Sequence, residues 1–468
     1  MRRALLPVVL LAAAVIAGSV AWLADRSSDS GTAEASAATP AAATPVLSPR
    51  RVPTLLVEPS ADAALADQLA DIAGRSPEGS CLVVTRDGRT VFAHNPERWM
   101  TPASTQKILT SAAALEVLGP DHAFTTEVRS TADIGPDGVL DGDVWLIGAG
   151  DPVLDTADYL TRFPTARPRT DIERLADELV GAGLAEVRGA VLGDESRYDA
   201  ERTVASWSDS IIAANRAGPL SALMVNDGFA SWPTDSPDNT DASASSDPAA
   251  HAAGVLDDLL EERGVSIDGG AGSGVVPDGT RSLAAAVSPS LTELLEHLNT
   301  FSDNTTAEQL LKELGAAAGD LGSTAGGAGV VAETLADIGA ATVGVADGSG
   351  LSRDNITTCT TLTTALDHHG PESPLAESLA VAGETGTLAD RFLDQSTSGR
   401  ILAKSGSLDE VDALAGMART RSDRSLTFAY IINGAVLDPT VIPQLQQDMA
   451  TALVEWPDGP DLDEVAPG

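Results

Sequence analysis

Apolar positions recur along the chain in different rhythms, and each rhythm predicts a different kind of element. Residues 80–93 (SCLVVTRDGRTVFA) set two apolar runs around a polar Arg-Asp-Gly corner, the pattern of a β-hairpin. Directly after it, Ile108, Leu109, Ala112, Ala113 and Leu115 repeat at helical spacing, which places Pro102 and Ser104 at a helix start. Between about 126 and 284 the texture changes to short strands, among them 144–147 and 189–193, alternating with Gly and Pro turns and a few helical stretches. This reads as an inserted β-rich domain. Helical spacing returns at 291–298 and 306–314, while 411–419 and 426–434 have the turn-bounded apolar look of core strands, and 443–454 closes with a helix. Strands at both ends with helices between them predict one sheet assembled from the two extremities of the chain.

The first residues bear on location. Arg2 and Arg3 precede an apolar run over 4–24, closed by Asp25 and Arg26, which is an export signal whose length fits either a cleaved peptide or an uncleaved membrane anchor. No Cys follows the run, which argues against lipoprotein attachment. The Ala, Ser, Thr and Pro of 27–51 have little to bury and read as a disordered spacer. The chain therefore divides into a signal or anchor (1–26), a linker (27–54), a first part of the main domain (55–125), the insertion (126–284), a second part (285–456) and an acidic tail (457–468). Within the insertion, the polar tract 235–250 and the Gly-rich 268–274 read as loops. The latter lacks the strand-to-helix setting and the Gly-Lys-Ser/Thr ending of a phosphate site.

Charge and cysteine count narrow the picture further. A formal charge of -39 excludes a nucleic-acid polyanion as partner. Cys81 and Cys359 in an exported chain are open to two readings, a disulfide or two buried thiols, because sequence does not place them within bonding distance. His368 and His369 read as surface residues, since a metal site would need further ligands at suitable spacing. No metal or cofactor is expected.

The chemistry emerges from lysine. It occurs only at Lys107, Lys312 and Lys404, although arginine is plentiful, so these positions need a property that arginine lacks. A partly desolvated lysine can lose its proton and act as a base, whereas arginine cannot. In Ser104-Thr105-Gln106-Lys107, a spacing of three at a helix start puts hydroxyl and amine on one face, so the amine can activate the hydroxyl as a nucleophile. Ser302-Asp303-Asn304 precedes a helix, and Lys404-Ser405-Gly406-Ser407 precedes the strand-like run from Val411. Taken singly, these read as a cap, a turn and a loop. In this order they form the motif set of β-lactamases and penicillin-binding enzymes.

On these motifs the chain resembles the class C penicillin-binding proteins, the DacB-like D-alanyl-D-alanine carboxypeptidase/endopeptidases, over about 55–455. Further matching stretches are Gly148-Ala149-Gly150-Asp151-Pro152, Ala307-Glu308, the run from Asp347 to Asn355, and Gly386-Thr387-Leu388. The resemblance implies an α/β (α+β) fold of the penicillin-binding/β-lactamase-like type, an antiparallel sheet with helices on both faces, plus the inserted β-rich domain. It implies a nucleophile at Ser104, its base at Lys107, proton transfer to the leaving amine by Ser302, a substrate contact from Asn304, and carboxylate binding by Lys404 with Ser405 and Gly406. The amides of Ser104 and Ser407 would form the oxyanion hole. Asp151 and Arg353 would line the pocket for a diaminopimelic side chain. The implied partners are peptidoglycan stem peptides and β-lactam inhibitors; the N-terminal run, for its part, puts the protein outside the cytoplasm, either in the cell wall or held at the membrane by that run. Two departures stand out: Ser405 where Thr is commoner, and Ala149 where a glycine is expected.

Rival readings fit less well. A class A-type β-lactamase places the first two motifs much closer together. A non-catalytic cell-wall-binding protein on the same fold would not need Ser104, Lys107, Ser302, Asn304 and Lys404 intact. A Ser-His-Asp hydrolase lacks its Gly-x-Ser-x-Gly elbow here.

Overall fold

The computed structural model describes residues 52–319, 321–340, 344–434 and 440–457. The apolar run 4–24, the spacer up to 51 and the tail from 458 lie outside them. Among the described residues no helix is long and apolar enough to cross a membrane.

Helix α1 (Val52–Arg75) begins inside the stretch expected to be spacer and buries Ala61, Leu65, Leu69 and Ile72, which share one helical face. Pro53 and Pro59 obscure this periodicity in the sequence. The predicted hairpin follows as β1 (Ser80–Arg86) and β2 (Arg89–His94), then a 3₁₀ turn (Ala103–Thr105) and α2 (Gln106–Val117).

The next segment builds its own sheet from β3 (Thr125–Ser130), β4 (Val144–Ile147), β5 (Val191–Asp194), β6 (Ala271–Ser273) and β7 (Arg281–Val287), in the order β6-β5-β4-β3-β7. Helices α3 (Ile172–Gly181) and α4 (Pro248–Glu262) close one apolar cluster over it. Two loop expectations are corrected here. The Gly-rich 268–274 contains β6, because pairing along the free edge of β5 outweighs the poor strand propensity of glycine. The polar tract 235–250 ends in the first turn of α4, where Asp247 caps the amide of Ala250 and Pro248 opens the helix.

The chain then returns through α5 (Leu291–Phe301), α6 (Asn304–Ala317), α7 (Thr324–Asp337) and α8 (Cys359–His369). It continues through β8 (Ala380–Val381), β9 (Ile401–Leu408), β10 (Val411–Arg419), β11 (Ser425–Asn433) and α9 (Val441–Glu455). The main sheet has the order β8-β9-β10-β11-β1-β2 and is antiparallel throughout, so the two extremities of the chain do meet in one sheet. Alternation along its strands feeds two cores. Cys81, Val83, Ala413, Ala415 and Ile431 face α2, α5, α6, α7 and α8. Leu82, Val84, Leu414, Phe428 and Tyr430 face α1 and α9. Helices thus cover both faces, and this is why the strands read as near-continuous apolar runs. Helix α7 was not legible because of Gly326, Gly327 and Gly329. A Cβ on Gly327 would sit 1.7 Å from the Leu311 carbonyl oxygen, so glycine is what lets α7 press against α6.

Cys81 of β1 and Cys359 at the start of α8 form a disulfide, with their Cα atoms 6.1 Å apart. His368 is exposed as expected. His369 is half-buried, a correction: it packs with His368 around Glu116, and burial lowers its pKa.

Candidate active site

The site begins with a backbone conformation. Ala103 is fully buried with φ at 47°, a left-handed conformation uncommon for a residue with a Cβ. It turns the chain so that Ser104 lies half-buried in the 3₁₀ turn while Lys107, one turn further, points into the protein with no exposed surface. What holds Ala103 is the loop over 347–355: Gly350 has φ of 84°, and a Cβ there would lie 1.9 Å from the Ala103 carbonyl oxygen.

The Lys107 amine has three donors and finds three acceptors: Ser104 Oγ at 3.2 Å, Asn304 Oδ1 at 2.8 Å and the Ser349 carbonyl at 2.6 Å. Burial pushes its pKa down to about 8, against the raising influence of Asp347, Glu308 and Asp303. On deprotonation two hydrogens suffice for Asn304 and Ser349, leaving the lone pair for the Ser104 hydroxyl. The geometry holds a hydroxyl beside an amine able to take its proton.

Each partner of Lys107 is itself held. Ser302 ends α5 in a left-handed conformation with φ of 63°, and Asp303 caps α6 by accepting from the Thr306 amide and hydroxyl, which places Asn304 at the first position of α6. The amide of Asn304 is used at both ends: its oxygen accepts from Lys107, and its nitrogen donates to the Arg216 carbonyl at 2.6 Å. The substrate contact expected of Asn304 is here a bridge from the base to the inserted segment. Two carboxylates within the matching stretches, Glu308 and Asp347, shape the other partner. Glu308 accepts from the amides of Gly348 and Ser349, and burial followed by the charge of Asp347 raises its pKa to about 8. Asp347 accepts from the amides of Gly350 and Ser352, from Asn355 and from the Trp207 indole. Together they present the Ser349 carbonyl to Lys107.

Strand β9 forms the opposite wall. Its edge neighbour β8 pairs only with Leu402 and Ala403, so from Lys404 to Leu408 that edge has no strand partner among the described residues. Lys404 is buried; burial and then the Lys107 charge hold its pKa well below the usual value, and it donates to the Ser405 carbonyl at 2.9 Å. Ser405 Oγ donates to Thr387 Oγ1 at 3.0 Å. Gly406 lies against the nucleophile turn: a Cβ would be 2.9 Å from both the Ser104 nitrogen and the Pro102 oxygen. We therefore expect Gly406→Ala to displace the turn, slowing reaction at the Ser104 hydroxyl by about 10²-fold and lowering the melting temperature. Parallel rate and thermal-melt measurements check this, and an unchanged rate would contradict it.

A cavity of about 590 Å³ unites these walls, lined by Ser104, Ser302, Asn304, Arg353 and Ser407 among others. Arg353 is exposed and donates to the Asp409 carbonyl at 2.6 Å. Asp151 is not brought to this cleft. It is buried, and its carboxylate caps the amide of Val153, with burial raising its pKa to about 6.

A sequence model described as the D-Ala-D-Ala carboxypeptidase 3 (S13) family matches residues 61–240 and 230–456. The chain is 34% identical over 350 residues to a carboxypeptidase DacB of Mycolicibacterium smegmatis, covering 72% of each chain. It is 29% identical over 432 residues to a D-alanyl-D-alanine carboxypeptidase of Actinomadura, covering 76% of this chain and 77% of that one. The crystal structure of penicillin binding protein 4 (dacB) from Haemophilus influenzae shares its fold, with a TM-score of 0.69 at 22% identity, over 81% of this chain and 97% of that one.

Proposed function

Because the chain belongs to the D-Ala-D-Ala carboxypeptidase 3 (S13) family, we propose that Ser104 is the residue it acylates in hydrolysing the D-alanyl-D-alanine bond of peptidoglycan stem peptides. The activity is that of a serine-type D-alanyl-D-alanine carboxypeptidase/DD-endopeptidase of the penicillin-binding type, acting outside the cytoplasm and acylated by β-lactams.

In the forward step, neutral Lys107 takes the hydroxyl proton as Ser104 Oγ attacks the carbonyl carbon. The amides of Ser104 and Ser407 receive the developing oxyanion. The proton taken up by Lys107 passes through the Ser302 hydroxyl to the departing amine, the C–N bond breaks, and an ester on Ser104 remains for water to hydrolyse. The substrate lies as an extra strand along the open edge of β9, where Gly406 allows close approach to the nucleophile. Lys404 and the Ser405 hydroxyl hold the terminal carboxylate, and Arg353 meets the side chain of the residue before the D-alanines. Asp151, turned to Val153, keeps a structural role.

The observation that carries this reading is the triple engagement of Lys107 with Ser104, Asn304 and Ser349. Incubation with penicillin followed by peptide mapping is expected to place one covalent adduct on the peptide containing Ser104. An adduct on another residue, or none, would refute it. We assign the N-terminal run to export and membrane attachment, so the full-length protein should sediment with membranes and be released by detergent. Recovery in the soluble fraction would remove the attachment.

A further inference from the structure

Two of the three acceptors of Lys107 are held from one short stretch of the inserted segment, residues 207–216. At one end of the stretch the Trp207 indole nitrogen donates to Asp347 Oδ2 at 2.9 Å, and Asp347 shapes the loop whose Ser349 carbonyl meets the amine. At the other end the Arg216 carbonyl accepts from the Asn304 nitrogen, while the Asn304 oxygen receives the amine. Between these anchors lies a short helix (Asp209–Ala213) with no buried residue, and Ser208, Ser210 and Ile211 line the catalytic cavity. Trp207 does not line it.

The Trp207 contact belongs to the protein's interior. Trp207 is 6% exposed and packs with Val204, Leu220 and Leu351, and the hydroxyls of Ser206 and Ser352 share a hydrogen bond beside it at 2.7 Å. Asp347 has no exposed surface. An ionised carboxylate offers about four acceptor sites. In Asp347 four donors use them: the Gly350 amide and Asn355 Nδ2 on Oδ1, and the Ser352 amide and the Trp207 indole on Oδ2. Three of these donors lie in the carboxylate's own loop. The indole comes from outside it, and without the indole a buried anionic oxygen is one donor short.

The charges that face Lys107 show where such a shortage is felt. Asp347, Glu308 and Asp303 favour its protonated form, and Lys404 faces it from β9. We propose that Trp207 is a positioning residue for the base: its indole N–H holds the Asp347 carboxylate, and through it the Ser349 carbonyl, in the arrangement that seats the Lys107 amine beside Ser104 Oγ. The inserted segment thereby completes the reaction machinery of the domain it interrupts. The proposal rests on Lys107 as the base of Ser104.

Two substitutions separate the donor from the ring. Trp207→Phe keeps an aromatic ring and removes the N–H, whereas Trp207→His keeps an N–H at the corresponding place of a five-membered ring and removes the rest of the indole. Stopped-flow acylation by a fluorescent penicillin yields the limiting first-order rate constant and the half-saturating concentration, and the former does not depend on the fraction of folded protein. For Trp207→Phe the limiting constant is expected to fall about tenfold, with the half-saturating concentration within about twofold of the parent. The midpoint of its pH profile should move upward, because an Asp347 charge relieved of a donor favours the protonated amine. Trp207→His should stay within about threefold of the parent constant. A Trp207→Phe constant near that of the parent, an unmoved midpoint, a loss confined to the half-saturating concentration, or an equal loss in both variants would overturn the role of Trp207. Failure of penicillin to acylate the parent would instead overturn the assignment of Ser104.

Discussion

Replacing Lys107 by alanine is expected to lower the second-order rate constant for acylation of Ser104 by penicillin about 10³-fold, the scale on which a positioned general base contributes. Lys107→Arg should be no better, since arginine keeps the positive charge and some of the hydrogen bonds but cannot surrender a proton. The pair of variants separates a base from a mere cation. The pH dependence has a definite sign: the amine must be unprotonated to act, and burial places its pKa near 8. At pH 7 about a tenth of the molecules therefore carry the active form. The rate should climb about tenfold per pH unit below 7 and level off above 8. Stopped-flow acylation with a fluorescent penicillin between pH 6 and 9 measures both. A flat profile, or an arginine variant at the parent rate, would remove Lys107 from the role of base.

The double variant Cys81→Ala/Cys359→Ala should show the largest loss of stability. The bridge spans 278 positions of sequence, a loop that contains α2, the whole inserted sheet and α5 to α7. In the chain-entropy model, opening a loop of that length removes about 5 kcal/mol of stability by freeing the unfolded chain. In a folded chain of this size that corresponds to a melting temperature lower by about 6 °C. Both cysteines are buried in the core on the α2 side of the sheet, and neither is a hydrogen-bond partner of Lys107 or Lys404, so acylation at 25 °C should persist. Calorimetry with a parallel acylation assay checks the pair of outcomes. A melting temperature within 2 °C of the parent would show that the folded core alone fixes the termini of this loop.

That Ser104 and Lys107 meet, and that the motifs come in order, was legible because both follow from local spacing along the sequence. Ser104 and Lys107 needed only a helix start, and the two extremities of the sheet needed only apolar strands at each end. What escaped reading depends on distances between remote segments. The Cys81–Cys359 bridge depends on such a distance, and so does the two-ended grip of Asn304 on Lys107 and the Arg216 carbonyl, which joins three distant parts of the chain. Glu308 and Asp347 belong to stretches the family resemblance had marked. Their task, holding a loop so that one carbonyl meets one amine, has no one-dimensional signature. Asp151 is the reverse case. Its motif matched, but its carboxylate turns inward to Val153. Helix α7 and strand β6 were hidden because glycine reports a loop unless a neighbour pressing close is known.

The scarcity of lysine extends further than catalysis required. Lys312 is as buried as the two motif lysines. It binds Asp199 and the Glu201 carbonyl and, next to Glu313 on Arg197 and Tyr198, fastens the inserted segment to the helix that carries Asn304. No lysine amine is therefore open to an acylating reagent while the chain is folded, and three become open when it unfolds. The count of lysines modified by an N-hydroxysuccinimide ester reads the unfolded fraction directly, and coupling to a solid support through surface lysines will not hold the native enzyme.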